Sequence, residues 1–330
     1  MIPDDEMRGA DPGLSRRIDT TGVMGTELGA ASGVELGLGA EGGGGGPVAR
    51  SQWQLFRRRF LRHRVAVLSI VVLGILIVLC FSASFIAPYG KNSQDLLLGP
   101  VSPNGTHWFG TDELGRDQFS RLLYAGQLSI EIGVTVAFLS TLVGVAVGAV
   151  AGFFGRATDQ ALMRFTDLFL IVPDIAILAL ALAYFGQSNI AIILVLAGIF
   201  WMGIARVMRG QVLSLKEKEY VEAARAAGAS PIRIITRHIL PNTIGTIMVD
   251  ATLAVAAAII TESTLSFLGF GVQPPNTSWG KMLADAEGYV GTDKAYLLYF
   301  PGAAIFITVL AVNFLGDGLR DAFDPQSGRG

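Results

Sequence analysis

Six stretches of this sequence stay apolar for as long as a bilayer demands, and that narrows the fold more than any other feature. About 20 apolar residues cross the hydrocarbon layer as a helix. Residues 65–87 are the clearest case: 23 residues without a charge, followed by Pro88. Further stretches lie at 130–154, 165–186, 190–208, 246–268 and 297–315. With 51% hydrophobic and 16% charged residues among 330, the chain is too apolar for an ordinary soluble domain. It is expected to be an all-α integral membrane protein with six transmembrane helices. The third and fourth are joined only by Gln187, Ser188 and Asn189, a tight hairpin. Gly133, Gly144, Gly148 and Gly152 punctuate the second, which lets a neighbouring helix come close.

Charge sets the orientation. Counted along six spans, 20 of the 25 Lys and Arg residues fall on the side of the N-terminus, and five (Lys91, Arg116, Arg121, Lys281, Lys294) on the other. The positive side is cytoplasmic, so both termini and the 209–245 loop are expected there. Arg57, Arg58, Arg59, Arg62 and Arg64, just before the first span, are the strongest anchor. Residues 1–49 carry eight acidic and three basic side chains and a glycine run at 42–46, and they hold no apolar core of signal-peptide length. Such a composition cannot bury enough surface to fold, so 1–50 reads as a disordered, acidic, Gly-rich cytoplasmic tail. The body divides into 51–129 (first span and a long outer loop), 130–325 (five spans) and a short tail at 326–330. Cys80 is alone, which excludes an internal disulfide and a Cys-based metal site.

The 209–245 loop is polar and rich in alanine. Residues 215–227 read as a helix, with Glu217, Glu219 and Glu222 early and Arg225 late, as the helix dipole favours. Alanines at 223, 224, 226 and 227 give it a thin profile that fits a groove on a partner. Gly228 suits the left-handed residue that ends a helix. Ser230 and Pro231 then cap and open a second helix, which Pro241 is expected to end or kink. A surface-lying amphipathic connector explains the same helices equally well; the spacing of Glu222-Ala223-Ala224, Gly228 and Leu240-Pro241 is what separates the two.

Five motifs in order carry a resemblance: HWFGTDELGRD at 107–117, YVEAARAAGAS at 220–230, HILPN at 238–242, LSFLGFGVQPP at 265–275 and NFLGDGLRDAFDP at 313–325. The chain resembles the dipeptide, oligopeptide and nickel permeases of ABC importers, in particular the subunit with a long loop after its first span. The likeness runs from about residue 56 to 325; the acidic tail departs from it. It implies a type I ABC importer permease fold, with a coupling helix around 219–228 that docks on a cytoplasmic ATPase. Glu219, Tyr220, Glu222, Ala223, Ala224, Ala227, Gly228, Leu240 and Pro241 would then form the coupling surface, with Glu222 meeting a basic group and Ala223 and Ala224 packing closely. It further implies a related second permease chain, two ATPase subunits that hold ATP and Mg, and an extracytoplasmic substrate-binding protein over the loops at 88–129 and 269–296. The cargo implied is short peptides, with nickel, haem and glutathione as alternatives within the same architecture. The setting is the bacterial cytoplasmic membrane, and no nucleic acid is involved.

Ionisable residues inside spans are costly and point to function or to buried pairing. Glu131, Asp174 and Glu262 are the candidates for a substrate path; Asp250 is the fourth intramembrane acid, and hydrogen bonding between helices is the alternative for each. Trp108, Phe109, Trp279 and Tyr289 read as interfacial anchors, and 110–117 as a turn that braces the bundle. His63, His107 and His238 are scattered, so the chain offers no nickel site of its own. A phosphate loop of the G-x-x-x-x-G-K-[ST] type is absent, so the chain is not expected to be an enzyme. An ion-coupled secondary transporter would show two inverted halves, a membrane enzyme convergent catalytic residues, and an exporter long intracellular helices. None of these patterns is evident.

Overall fold

The structure, a computed structural model, describes residues 52–323. The expectations for 1–50 and 326–330 lie outside the described residues. Helix α1 (Gln52–Arg62) is followed at His63 by α2 (Arg64–Phe81), then by the short α3 (Ala83–Ile86). After a long loop come α4 (Gln118–Phe154), α5 (Arg156–Leu170), α6 (Asp174–Phe185) and α7 (Asn189–Leu215). The short α8 (Glu219–Ala226) and α9 (Pro231–Ile234) lead through a π-turn at Ile235–Ile239 into α10 (Leu240–Phe267). A second loop carries α11 (Trp279–Asp285), and α12 (Tyr296–Phe323) closes the described chain. Among the described residues the only β pairing is the isolated antiparallel bridge of Thr111 with Asp117.

Among the described residues the fold is thus all-α, and five helical segments are long and apolar enough to span a membrane, six if the bent pair of α5 and α6 counts as one span. The third expected span takes the form of that bent pair. Residues 165–186 are not one helix; α5 and α6 meet at 85°. Pro173 accounts for the break, since it lacks an N–H and pushes the residue before it out of the helical region. Asp174 opens α6, its Oδ1 accepting from the Ile175 amide at 2.8 Å. The second span is corrected: α4 starts twelve residues before Ile130, at Gln118. Asp117 caps it, accepting from the Ser120 amide at 2.8 Å. A further correction concerns Pro241. It neither ends nor sharply kinks its helix, because the π-turn before it widens the ladder at the place where a proline ring would strike a carbonyl. Pro231–Phe267 runs on as a single span-length helix.

Packing is closest between α4 and α7. A β-carbon added to Gly144 would lie 2.7 Å from the Trp201 carbonyl oxygen, and one on Gly152 would lie 2.9 Å from that of Arg209. Gly148, between them, faces the Ala205 oxygen. Three glycines four residues apart therefore meet three carbonyls four residues apart, and the backbones touch. One apolar core joins Ile132, Val136, Leu178, Leu182, Ile192 and Leu265 from α4, α6, α7 and α10. Large apolar side chains also point outward, among them Leu68, Val78, Phe138, Leu142 and Phe306. In water that would be a fault; against lipid tails it is the ordinary arrangement.

Two ends can be told apart by contacts. At one, α8 and α9 pack beneath α4 and α7, Gly245 of α10 abuts Phe323 of α12, and Phe56 of α1 lies 4.4 Å from the Phe323 ring. At the other, the two long loops meet: the Tyr296 hydroxyl donates to the carbonyls of Val101 (2.8 Å) and Thr111 (2.9 Å).

Candidate functional site

The hairpin between α7 and α10 is shorter than expected. Span helix α7 itself runs to Leu215, so the hairpin helix covers Glu219–Ala226 rather than 215–227. At its end Gly228 takes φ +79°, a left-handed conformation that costs glycine little. The Ala229 amide then reaches back to the Ala224 carbonyl and the Gly228 amide to that of Arg225, both at 3.0 Å. These two bonds satisfy carbonyls that the helix end leaves open. Ser230 caps the next helix, accepting from the Arg233 amide at 3.4 Å, with Pro231 in its first turn.

One face of α8 is spoken for within the chain. Val221 is fully buried and Ala224 partly so, packed with Ile234, Ile235 and Ile239 below and Met208 and Val212 of α7 above. Lys216 ties the same corner to α4, its Nζ donating to the Gly152 carbonyl at 3.1 Å. The opposite face is open: Glu219, Tyr220, Glu222, Ala223 and Ala227 are all exposed, as is Pro241. The expected surface is therefore divided. Ala224 was expected to pack on a partner beside Ala223, but it lies three residues from Val221 and faces this chain's own core. Leu240 joins the same core. Ion pairs brace the surroundings: Arg209 of α7 holds Asp159 of α5 with two donors, NH2 to Oδ2 at 2.6 Å, and Arg206 pairs with Asp167. The end of α7 is thereby tied to both α4 and α5.

The three acids considered for a substrate path are not brought together. Glu131 and Asp174 are exposed on the isolated chain. Glu262 is 0% exposed. Its Oε1 accepts from Ser266 and Ser278, each at 2.7 Å, and its Oε2 has no partner. In this conformation Glu262 has no open face toward a path; it pins the loop before α11 to span α10. Trp279 is also corrected. It is 1% exposed, its indole N–H donates to the Leu122 carbonyl at 3.0 Å, and it is core rather than an interfacial anchor.

At the loop end, sequence reasoning missed a cluster of charge. Asp112, Arg116 and Arg121 converge with Lys281 and Asp285 of α11, 164 residues away in sequence. The GTDELGRD run was the available signal, but nothing in it tells that Arg121 turns inward to 3% exposure. Among the described residues, no group of three or more His, Cys, Asp or Glu side chains is placed to hold a metal ion.

Comparison with known proteins bears on most of the chain. Residues 144–329 match the model of the family described as binding-protein-dependent transport system inner membrane component. Residues 51–100 match the N-terminal TM domain of oligopeptide transport permease C. The oligopeptide transport system permease protein OppC of Haemophilus influenzae is 40% identical over 84% of this chain and 89% of its own length. The dipeptide transport system permease protein DppC of Bacillus subtilis is 40% identical over 82% of this chain and 84% of its own. A solved inward-facing MetNI methionine ABC transporter is much more distant, with 20% identity and a TM-score of 0.49 over 62% of this chain and 96% of that one.

Proposed function

This chain belongs to the family of binding-protein-dependent transport system inner membrane components, and on that premise we propose that it is the permease subunit of an ATP-driven importer of short peptides. Relatives named for oligopeptide and dipeptide transport, aligned over most of both chains, support peptides as cargo. The observation that carries the mechanism is the two-sided α8. Its inner face is locked into the ends of α4, α7 and α10, and its outer face offers Glu219, Tyr220, Glu222, Ala223 and Ala227 to a partner.

In this reading an ATPase subunit receives the outer face of α8, with Glu222 against a basic group and Ala223 and Ala227 leaving room for close approach. ATP and Mg belong to that partner. Closure of two ATPase subunits draws α8 of this chain toward its counterpart on a related second permease. Because Val221 and Ala224 are embedded in the core, α8 carries the span ends with it. The ATPases thereby bias a two-state bundle between inward-open and outward-open forms. The hairpin end and both termini then lie in the cytoplasm, and the loop end faces an extracytoplasmic binding protein that delivers cargo.

The test is uptake of labelled dipeptide, pentapeptide and nickel by cells with and without this gene, repeated with Glu222→Arg. Loss of peptide uptake in both the deletion and the variant is expected. Loss of nickel alone would move the cargo to the metal branch. Full uptake in the variant alone would remove α8 as the coupling element.

A further inference from the structure

The charge cluster at the loop end is more than a brace. Asp112 is saturated: its Oδ1 accepts from the amides of Leu114 (3.0 Å) and Arg116 (2.9 Å), and its Oδ2 from Arg116 Nε (2.7 Å) and from Arg121. That leaves Asp285 to face the remaining donors. Lys281 Nζ is close at 2.8 Å, but Arg121 NH2 stands at 3.4 Å and Arg116 NH2 at 4.0 Å. Charge-assisted bonds of this kind settle at about 2.7–2.9 Å, so both guanidinium groups hold Asp285 loosely. Glu113 stands on the adjoining wall with its Oε1 taken by the Tyr289 hydroxyl, so Arg116, Arg121 and Lys281 are matched in number by Asp112, Glu113 and Asp285, and the Arg121 side chain is only 4% exposed. Asp285 is moreover the last residue of α11, where the helix dipole disfavours a negative charge.

A cleft of about 360 Å³ opens beside these donors, with Asn92, Gln94, Asn276 and Thr277 completing its wall. Among the described residues, Asp285 is the only acid in its lining. Room, a lining with three cations to one acid, and donors loosely engaged with that acid thus coincide. We propose that this cleft is a carboxylate-binding site, in which Asp285 is an internal stand-in that gives way to an Asp or Glu side chain of the binding protein. That the carboxylate comes from the binding protein rests on the importer reading; the charge geometry does not. Cargo is the weaker source. The lining residues come from the two loops, α11 and the first turn of α4, and the path candidates Glu131, Asp174 and Glu262 are not among them.

The experiment uses the complete transporter in nanodiscs and the affinity of its binding protein for wild type, Lys281→Ala and Asp285→Asn. Lys281→Ala is expected to weaken binding about tenfold, the size of a lost partly desolvated charge contact. Asp285→Asn, which removes the competing carboxylate, is expected to tighten it several-fold. Weakening in both variants would overturn the proposal, since a simple brace loses strength from either side. A Lys281→Ala defect confined to peptides with a free C-terminal carboxylate, and absent with their amides, would assign the site to cargo and overturn the partner assignment. If wild type binds no binding protein at all, the importer reading fails, and the cleft is judged by saturation-transfer NMR with N-acetylalanine and its amide. Contact by the acid alone, lost in Lys281→Ala, upholds the carboxylate site; equal signals from acid and amide, or none, remove it.

Discussion

The carbonyl oxygen of Ala205 on α7 occupies the space that a β-carbon on Gly148 of α4 would need. A backbone oxygen cannot rotate away as a side chain can, so even one methyl group forces the helices apart. Overpacking of this kind costs about 1–3 kcal/mol, and Gly148→Leu should exceed that range. Thermal unfolding of the purified chain in detergent should fall for Gly148→Ala and collapse for Gly148→Leu. Gly203, on α7 with open space around it, is the control: Gly203→Ala should be neutral or mildly stabilising. Equal losses at both positions would mean that α4 and α7 do not meet as described.

The two faces of α8 predict opposite mutant phenotypes. Val221 is sealed in the core, and Val221→Ala should lower the stability of the chain by about 2 kcal/mol through lost burial and the cavity left behind. Glu222 is exposed, so Glu222→Arg should leave thermal stability and membrane insertion unchanged while abolishing cargo-dependent ATP turnover of the assembled transporter. Both quantities can be measured on one preparation. A stability loss in Glu222→Arg, or turnover as in wild type, would contradict the division of the helix.

Gly228 isolates a purely conformational effect. No atom lies within 4 Å of the place where its β-carbon would be, yet its φ is +79°. Gly228→Ala therefore meets backbone strain of about 1 kcal/mol and no clash. Expression should be normal, with faster hydrogen exchange at the amides of Gly228 and Ala229, whose bonds close the end of α8. Unchanged exchange there would show that the left-handed turn is not what fixes the hairpin.

Legibility followed locality. Span-length apolar runs and cap residues act within a few positions, so the starts of α2 and α7 and the turn at Gly228 could be read directly, while the run of α7 on to Leu215 could not. Pro173 lies in the middle of the third apolar stretch, but its 85° consequence depends on where α5 and α6 find partners. Pro241 reads as an end or a kink because a π-turn is a register choice with no composition of its own. The inward turns of Ala224, Trp279 and Arg121 were hidden for a common reason. Each is decided by packing between elements: the α7 core for Ala224, Leu122 for Trp279, and Asp112 with the α11 side chains for Arg121. Glu262 shows the same limit, since an acid near the end of a span looks alike whether it faces a path or the Ser278 hydroxyl.

Glu262 supplies the last prediction. Its Oε1 is the shared acceptor for Ser266 and Ser278, and both hydroxyls work further along the loop. Ser266 Oγ accepts from the Val272 amide at 3.3 Å, and Ser278 Oγ accepts from the Lys281 amide at 3.0 Å to cap α11. Glu262→Leu removes the acceptor and strands two buried hydroxyls, at about 1–3 kcal/mol for each group left unsatisfied. Glu262→Gln keeps an oxygen at the Oε1 position and places its amide nitrogen where Oε2 already lacks a partner. The Gln variant should therefore keep most of the stability that the Leu variant loses, and protease cleavage within 269–278 should quicken only for Leu. Should Gln prove as damaging as Leu, the carboxylate itself would be required, and a role for Glu262 beyond pinning the loop would follow.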